Sequence, residues 1–552
     1  MKGKTITTSL ISSFFLTTIL LSPSLSSEIK SPLTVAESSN FKATSRYGDV
    51  MDFIKKLQHH SPYLGIETLC VSTEGRKVPL LIIGKPLPPT PSAAHLGGRA
   101  VVYIQANIHA GEVEGKEASL MLARELLLKK EINYLLERLV VLISPIFNAD
   151  GNEKISNQNR RNQAGPEEGV GVRYNGQNLD LNRDSMKLES PEVQGLVKNV
   201  LIRWDPFLVV DCHTTNGSFH QEPVTYSWPL NPNGDSSIIT YMREKMMPGI
   251  SSSLKNKYNT LSIPYGNFID FKNPEKGWQT FSHLPRYLTN YVGLRNRLAI
   301  LDENYAYADY RTRVYACYHF LLSILEYCYQ HHAELIELTR EADRKIIESG
   351  YLPSEEETFG LEFERKALKQ PVKIRSWEMK VTPRDRGWPR VEKTDVKKTY
   401  LAPYYADFMP KRSVRFPSAY LVSASIPEVK EKLLQHGITV EELTEAVSLE
   451  VESFRLTDIK SSERIYQGHR LNSIKGEYFL EKREFPRGTL FISTSQPLGK
   501  LAAYLLEPES DDGLLVWNFF DRYLVSQWRG SPQTYPIHRM LMPVLVARER
   551  VK

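Results

Sequence analysis

A histidine and a glutamate that could bind a metal ion lie three positions apart in the segment QANIHAGEVEGKEA, residues 105–118. His109 offers an imidazole nitrogen and Glu112 a carboxylate oxygen, and zinc accepts both kinds of donor. Gly111 between them is predicted to let the backbone fold tightly enough for the two side chains to converge. Because a catalytic zinc site uses three protein ligands and keeps one position open, a third ligand is expected elsewhere in the chain.

The third ligand is predicted to be His213, which follows the apolar run FLVVDC. The 100 residues that separate Glu112 from His213 have room for two βα units, so the two residues could come from neighbouring strands. His220 is the alternative ligand.

The elements that must position these side chains are apolar runs that alternate with helical patterns between about residues 46 and 335. The runs are AVVYIQANI (100–108), RLVVLISPIF (138–147), PFLVVDCH (206–213) and RLAILDE (297–303). Amphipathic or apolar helical segments lie between and after them, and RTRVYACYHFLLSILEYCYQHH closes the unit. This alternation predicts an α/β fold with a mainly parallel or mixed sheet flanked by helices.

Polar side chains follow several of these runs at the point where each strand should end. Ligands of open α/β sheets bind at the carboxyl ends of the strands. The sequence therefore predicts a site at this sheet edge, built from His109, Asn148, Asp150, His213 and Glu303.

The bulk composition narrows the class of protein. A chain of 552 residues is expected to form two or three domains, with 41% hydrophobic and 24% charged residues, as in soluble globular proteins. The formal net charge is only +6, and Lys and Arg are dispersed, so no nucleic-acid partner is predicted. Four cysteines in a chain of this length favour packing over a disulfide scaffold.

The chain is predicted to divide into five parts. Residues 1–26 are typical of a signal peptide, because a basic MKGK precedes an apolar, hydroxyl-rich stretch and small residues at Ser24 and Ser26. Export to the periplasm or beyond is therefore expected, with no membrane span after cleavage. A polar linker (27–45), a catalytic domain (46–335), a helical connector (336–355) and a C-terminal α+β domain (356–552) follow.

An ordered set of motifs resembles the carboxypeptidase A-like zinc peptidases. HAGE, NADGNE, NLDLNRD, SPE, a distant CH and a late ILDENY occur in that family's order over residues 100–305. The resemblance implies one zinc ion held by His109, Glu112 and His213. It also implies that Asp180 orients the first histidine and that Asn182 and Arg183 hold the terminal carboxylate of a substrate.

Two further roles follow from the resemblance. Glu303 matches the general base that takes a proton from zinc-activated water, whereas Asp302 should point to the opposite face of the strand. An arginine that polarises the scissile carbonyl is expected in NQNRRNQAGP, where Arg160 is favoured over Arg161. The family's mobile tyrosine is left open among Tyr265, Tyr287 and Tyr291.

The predicted function is a secreted zinc carboxypeptidase that hydrolyses the C-terminal peptide bond of a peptide or peptide-like substrate. A zinc amidase or deacylase of small N-acyl amino acids is the alternative, because Asn182 and Arg183 suit a carboxylate in both. A non-catalytic binding protein is a third hypothesis, which the complete set of ligands plus Glu303 disfavours. The segment AGEVEG lacks the basic residue that well-known members carry after the glycine, which leaves substrate preference open.

Overall fold

The structure is a computed structural model that describes residues 1–4, 31–384, 389–524 and 533–551. From Pro32 onward the chain forms one compact unit. Apart from residues 1–4, the predicted signal peptide lies outside the described residues. Within the described ranges, no helix is long and apolar enough to cross a membrane.

The secondary structure alternates in the first half of the chain and is rich in strands in the second. The strands are β1 (Leu64–Val71), β2 (Lys77–Ile83), β3 (Ala100–Ala106), β4 (Leu139–Ser144), β5 (Leu208–Thr215), β6 (Val224–Ser227), β7 (Ser262–Pro264), β8 (Asn267–Phe268), β9 (Trp278–Gln279), β10 (Leu298–Tyr305), β11 (Thr358–Ala367), β12 (Val372–Thr382), β13 (Arg390–Ala402), β14 (Tyr404–Arg415), β15 (Ala419–Val422), β16 (Glu441–Leu443), β17 (Val447–Ser461), β18 (Asn472–Phe485), β19 (Leu490–Ser493), β20 (Ile537–Met540) and β21 (Arg548–Arg550). The helices are α1 (Val35–Ser38), α2 (Tyr47–His60), α3 (Pro91–Leu96), α4 (Glu114–Leu128), α5 (Lys130–Asn133), α6 (Ala149–Asn152), α7 (Pro191–Leu196), α8 (Ser236–Tyr241), α9 (Met247–Tyr258), α10 (Leu288–Leu294), α11 (Tyr310–Tyr351), α12 (Pro427–Gln435), α13 (Gly499–Leu506) and α14 (Asp521–Leu524).

An eight-stranded mixed sheet carries the first half of the chain, in the order β1-β2-β4-β3-β5-β10-β6-β7. Its centre, β4-β3-β5-β10, is parallel, and β2 and β6 join this centre in antiparallel orientation. Strands β3, β4 and β5 are buried along their whole length, as strands covered by helices on both faces should be. The predicted α/β fold with a mixed sheet flanked by helices is confirmed.

Helix α4 packs closely on the sheet because a glycine faces it. A Cβ atom added at Gly115 would lie 2.6 Å from the Cβ of Cys212 and 3.4 Å from that of Ala106. On the same face, Asp302 accepts a hydrogen bond from the Cys317 thiol of α11, with 3.2 Å between Oδ2 and Sγ. Side chains alternate along a strand, so His213 and Glu303, each one position further, point to the opposite face, as predicted for Glu303.

We expect Gly115→Ala to lower the free energy of unfolding by about 1–3 kcal/mol, because the added methyl group overpacks the contact with β5. Chemical denaturation measures the change. Gly48→Ala in α2 is the matched control, since nothing lies within 4 Å of its added Cβ. Equal stability of the Gly115 variant and the natural protein would contradict the close packing.

The segment before α2 differs from the predicted linker over the part that the structure describes. Helix α1 begins after the Thr34 cap, and Ala36 is fully buried. Thr44 and Ser45 are buried, and both donate hydrogen bonds to the Glu117 carboxylate of α4. This segment packs because its hydroxyl groups satisfy a buried charge, which a polar composition alone does not reveal.

The boundary region after residue 335 is also more regular than expected. Helix α11 runs for 42 residues without interruption and joins the predicted closing helix to the predicted connector. Beyond it the chain is rich in strands, with a seven-stranded sheet in the order β18-β17-β20-β15-β19-β16-β21. The predicted boundary between a catalytic domain and a C-terminal domain of residues 356–552 stays a prediction.

All four cysteines are free, in agreement with the predicted packing role. Cys212, Cys317 and Cys328 are buried, whereas Cys70 is half-buried.

Candidate metal centre and substrate cavity

The carboxyl ends of three neighbouring strands bring the predicted site together. Ala106 at the end of β3 lies beside Cys212 of β5, and His213 of β5 lies beside Glu303 of β10. Neighbouring residues of parallel strands project to the same face, so His213 and Glu303 stand side by side. The turn that carries His109 and Glu112 follows β3 directly and leads into α4.

Gly111 is required in this turn for a reason other than the predicted one. It is not among the residues with positive φ. An added Cβ atom would lie 2.6 Å from Arg160 Cδ and 2.9 Å from the carbonyl oxygen of Gly171. The glycine therefore makes room for two other segments of the chain.

His109, Glu112 and His213 form a buried group that could hold a metal ion. The Nδ1 atom of His109 lies 3.0 Å from Glu112 Oε1, and that of His213 lies 3.0 Å from Oε2. The two Nδ1 atoms are 3.3 Å apart. Two imidazole nitrogens and one carboxylate thus converge on one point, which is the donor set that zinc prefers in catalytic sites.

The outward nitrogen of each histidine contacts a carboxylate. His109 Nε2 lies 3.0 Å from Asp180 Oδ1, and His213 Nε2 lies 2.8 Å from Asp211 Oδ2. A proton held on Nε2 by these acids leaves the Nδ1 lone pair free to bind a metal, the usual arrangement around metal-bound histidine. Asp180 was predicted for this position. Asp211 was missed, although its place two residues before His213 on a strand puts both side chains on one face.

The electrostatic field of the site favours a cation. Burial lowers the pKa of His213, but the Asp211 carboxylate outweighs this and raises the pKa well above its usual value. Burial raises the pKa of Glu112, but the charges of His109 and Arg160 hold it well below its usual range. Buried, ionised carboxylates around two imidazoles therefore fit a divalent metal ion.

A cavity of about 320 Å³ opens beside the group. Of the residues that the sequence predicted at the site, Asp180, Asn148 and Asp150 do not line it. The prediction of Asn148 and Asp150 as site residues is wrong, because Asn148 caps α6 by accepting from the Gly151 amide over 2.9 Å and Asp150 pairs with Arg76 over 2.7 Å. The lining residues are His109, Glu112, Arg160, Arg173, Asn182, Arg183, His213, Thr214, Thr215, Asn216, Tyr265, Phe281, Tyr287, Thr289, Leu301 and Glu303.

Arg160 reaches the metal-binding group, whereas Arg161 is exposed and does not line the cavity. Arg160 Nη1 donates to Glu112 Oε1 over 2.7 Å, and Nη2 donates to the Thr214 carbonyl oxygen over 2.9 Å. Its guanidinium thus places a positive charge at the cavity wall beside the group.

Asn182 and Arg183 are held by a short helical turn that Asp180 caps, since the Asp180 carboxylate accepts from the Asn182 amide over 3.0 Å. The Asn182 side chain is buried and lies 3.3 Å from His213 Nε2, and its Oδ1 accepts from the Leu288 amide. The Arg183 guanidinium lies over the Tyr287 ring, 4.2 Å from its centroid. These contacts fix the place of one guanidinium in the cavity.

Glu303 faces the same cavity from β10. Burial raises the pKa of its carboxyl group above the usual value, although the charge of His213 acts in the opposite direction. A raised pKa makes the carboxylate a better proton acceptor, which suits a general base that later returns the proton as an acid.

Of the residues that the sequence left as alternatives, some line the cavity and others lie away from it. Tyr265 and Tyr287 line the cavity, whereas Tyr291 is buried away from it, with its hydroxyl 2.7 Å from His436 Nδ1. His220 is not part of the metal-binding group, and burial lowers its pKa to about 3. Arg173, which the sequence did not point to, lines the cavity and donates to Asp180 Oδ2 over 2.8 Å.

Comparison with known proteins identifies the class to which this fold and site belong. The family model described as zinc carboxypeptidase matches residues 50–357, which is more than half of the chain. The chain therefore belongs to the zinc carboxypeptidase family and is a hydrolase of the metallocarboxypeptidase class. The predicted family resemblance is confirmed.

Several proteins and solved structures that are similar to this chain are named carboxypeptidases. The chain is 21% identical to Carboxypeptidase 2 of Trichophyton rubrum over 535 residues, covering 89% of this chain and 88% of that protein. It is 23% identical to Carboxypeptidase 2 of Trichophyton tonsurans, covering 80% and 77%. A metallo-carboxypeptidase from Burkholderia cenocepacia aligns with a TM-score of 0.38 and 17% identity, covering 51% of this chain and 68% of that chain.

Proposed function

We propose that the protein is an exported zinc carboxypeptidase that removes the C-terminal residue of a peptide. The observation that carries this proposal is one cavity that holds the His109–Glu112–His213 group, Glu303 and the Arg183 guanidinium together. The predicted signal peptide supports export.

One zinc ion is proposed to be held by His109, Glu112 and His213. When bound there, zinc supplies Lewis-acid chemistry that activates water and polarises a carbonyl group. Asp180 and Asp211 keep the two imidazoles in the tautomer that presents Nδ1.

The side chains around the cavity are proposed to bind the substrate, transfer the proton and stabilise the developing charge. Arg183 and Asn182 bind the substrate's C-terminal carboxylate and so place the last peptide bond at the site. Glu303 takes a proton from the attacking water molecule while the oxygen of that water bonds to the carbonyl carbon. Arg160 stabilises the negative charge that develops on the carbonyl oxygen. Glu303 then gives the proton to the leaving nitrogen as the C–N bond breaks.

The proposal is tested by supplying zinc-loaded protein with N-blocked dipeptides, longer peptides and N-acyl amino acids side by side. Release of single C-terminal residues from the peptides is expected, read by mass spectrometry. Preferential hydrolysis of the N-acyl amino acids would instead support the amidase or deacylase alternative. Inactivity of zinc-loaded protein on all three classes would contradict both.

We expect Arg183→Ala to reduce kcat/KM for peptides with a free C-terminal carboxylate by about 10- to 100-fold, because hydrogen bonds to charged groups are worth about 1.5–3 kcal/mol. Binding of C-terminally amidated peptides should change far less. Steady-state kinetics and competition measure the two effects. Arg203→Ala is the matched control, since that exposed arginine pairs with Glu67 outside the cavity. Equal losses for free and amidated peptides would argue against a carboxylate clamp.

A further inference from the structure

A tight turn of the C-terminal part lies against Arg183, which is proposed to bind the substrate's C-terminal carboxylate. The turn, Tyr466–His469, belongs to the loop between β17 and β18. Tyr466 and His469 exchange both backbone hydrogen bonds, over 2.8 and 3.0 Å. Gln467 and Gly468 between them have φ of 52° and 83°. Left-handed conformations at both central positions are typical of a two-residue hairpin turn, which fixes the direction of its side chains.

Three side chains of this turn attach it to the first half of the chain. The Tyr466 hydroxyl accepts a hydrogen bond from Arg183 Nε over 2.9 Å. Gln467 Oε1 accepts from the Asp180 backbone amide over 2.8 Å. His469 Nε2 lies 2.8 Å from Glu189 Oε1. The turn therefore contacts both Arg183 and the acid that orients His109.

These contacts determine which edge of the Arg183 guanidinium remains for a ligand. Nε donates to Tyr466, and Nη1 donates to the Asn182 carbonyl oxygen over 2.6 Å. Among the residues that the structure describes, Nη2 has no hydrogen-bond acceptor. The guanidinium is thus held by two of its nitrogens, and the third can donate to an anion in the cavity.

From this geometry we propose that Tyr466 is a positioning residue that orients Arg183 for the C-terminal carboxylate of the substrate. The C-terminal part then completes the substrate site. This inference rests on the proposed function. Without the Tyr466 hydroxyl, Arg183 Nε loses its acceptor and the long side chain samples more rotamers. Substrate binding must then order Arg183, and the lost conformational entropy reduces the binding free energy.

The Tyr466 ring is held independently of its hydroxyl. It stacks on Trp517 with 6.3 Å between the ring centroids, and the Arg286 guanidinium lies 5.5 Å from the Tyr466 ring centroid. Arg286 itself pairs with the buried Asp512 over 2.9 Å. Tyr466→Phe should therefore remove one hydrogen bond while the turn keeps its packing.

The test compares two competitive ligands of the zinc-loaded full chain, N-acetylphenylalanine and its amide. In Tyr466→Phe, binding of the acid is expected to weaken about tenfold, the loss of one hydrogen bond to a charged group. Binding of the amide should stay within about twofold. For peptide hydrolysis, KM should rise while kcat stays nearly unchanged, since the bond acts equally in the ground and transition states.

Two further variants make the result specific. Tyr523→Phe likewise removes a tyrosine hydroxyl, in this case one that donates to the Glu428 carboxylate, and should leave both affinities unchanged. Gln467→Asn keeps a residue that tolerates positive φ, but its side chain is one methylene group shorter and loses the hydrogen bond from the Asp180 amide. Binding of the acid is expected to weaken selectively, by about threefold.

Unchanged acid binding in Tyr466→Phe would overturn the inference, and so would equal weakening of acid and amide. A natural protein that hydrolyses no peptide would count against the proposed function instead. If Tyr466→Phe does not fold, as judged by thermal unfolding, the selectivity of Gln467→Asn decides.

Discussion

Replacement of Glu303 by glutamine is expected to reduce turnover by about 100- to 10,000-fold, the usual contribution of a general base. The amide has nearly the same shape as the carboxylate but cannot accept and return a proton. Glu303 is not a member of the metal-binding group, so zinc content should remain that of the natural protein. The measurements are kcat with a peptide substrate, metal analysis and thermal unfolding of the same sample.

Glu326→Gln is the matched control for this prediction. It removes a carboxylate from α11 that pairs with Lys257 and does not line the cavity, and its turnover should equal that of the natural protein. Undiminished turnover of Glu303→Gln would remove Glu303 as the base. Loss of zinc together with activity would show that the residue supports metal binding instead.

Replacement of His109 by alanine is expected to weaken zinc binding by more than about 100-fold, because altering an outer partner of a metal ligand already costs 10- to 100-fold. Only Glu112 and His213 would remain at the site, and two ligands hold zinc poorly. The residue is buried, so the variant must first be shown to fold by circular dichroism. Metal analysis after dialysis against a weak chelator then measures the loss.

His220→Ala tests the alternative third ligand that the sequence offered. His220 is equally buried but lies outside the group, so the folded variant should keep its zinc. Stoichiometric zinc in His109→Ala would contradict the proposed ligand set.

The parts of the fold that the sequence predicted are those set by local patterns of apolar residues. The apolar runs around residues 100–106, 139–144, 208–215 and 298–305 form strands because continuous β-branched and aliphatic residues suit a sheet covered on both faces. Their order along the chain then placed His109, His213 and Glu303 at one edge, and the structure brings these residues together.

The parts that escaped prediction depend on contacts between distant segments. Tyr466 and Arg183 are 283 positions apart, and no local pattern in the loop indicates that its hydroxyl contacts a guanidinium. The burial of Thr44 and Ser45 likewise depends on Glu117, more than 70 positions away. Such pairs follow from tertiary packing, which hydrophobic periodicity does not encode.

The uninterrupted course of α11 has a mechanical consequence. A flexible hinge between the two halves would let them move independently, whereas α11 is one continuous helix with buried residues from Tyr310 to Gly350. Heating is therefore expected to unfold both halves in one calorimetric peak. Limited proteolysis of the folded protein is expected to produce no cleavage within α11.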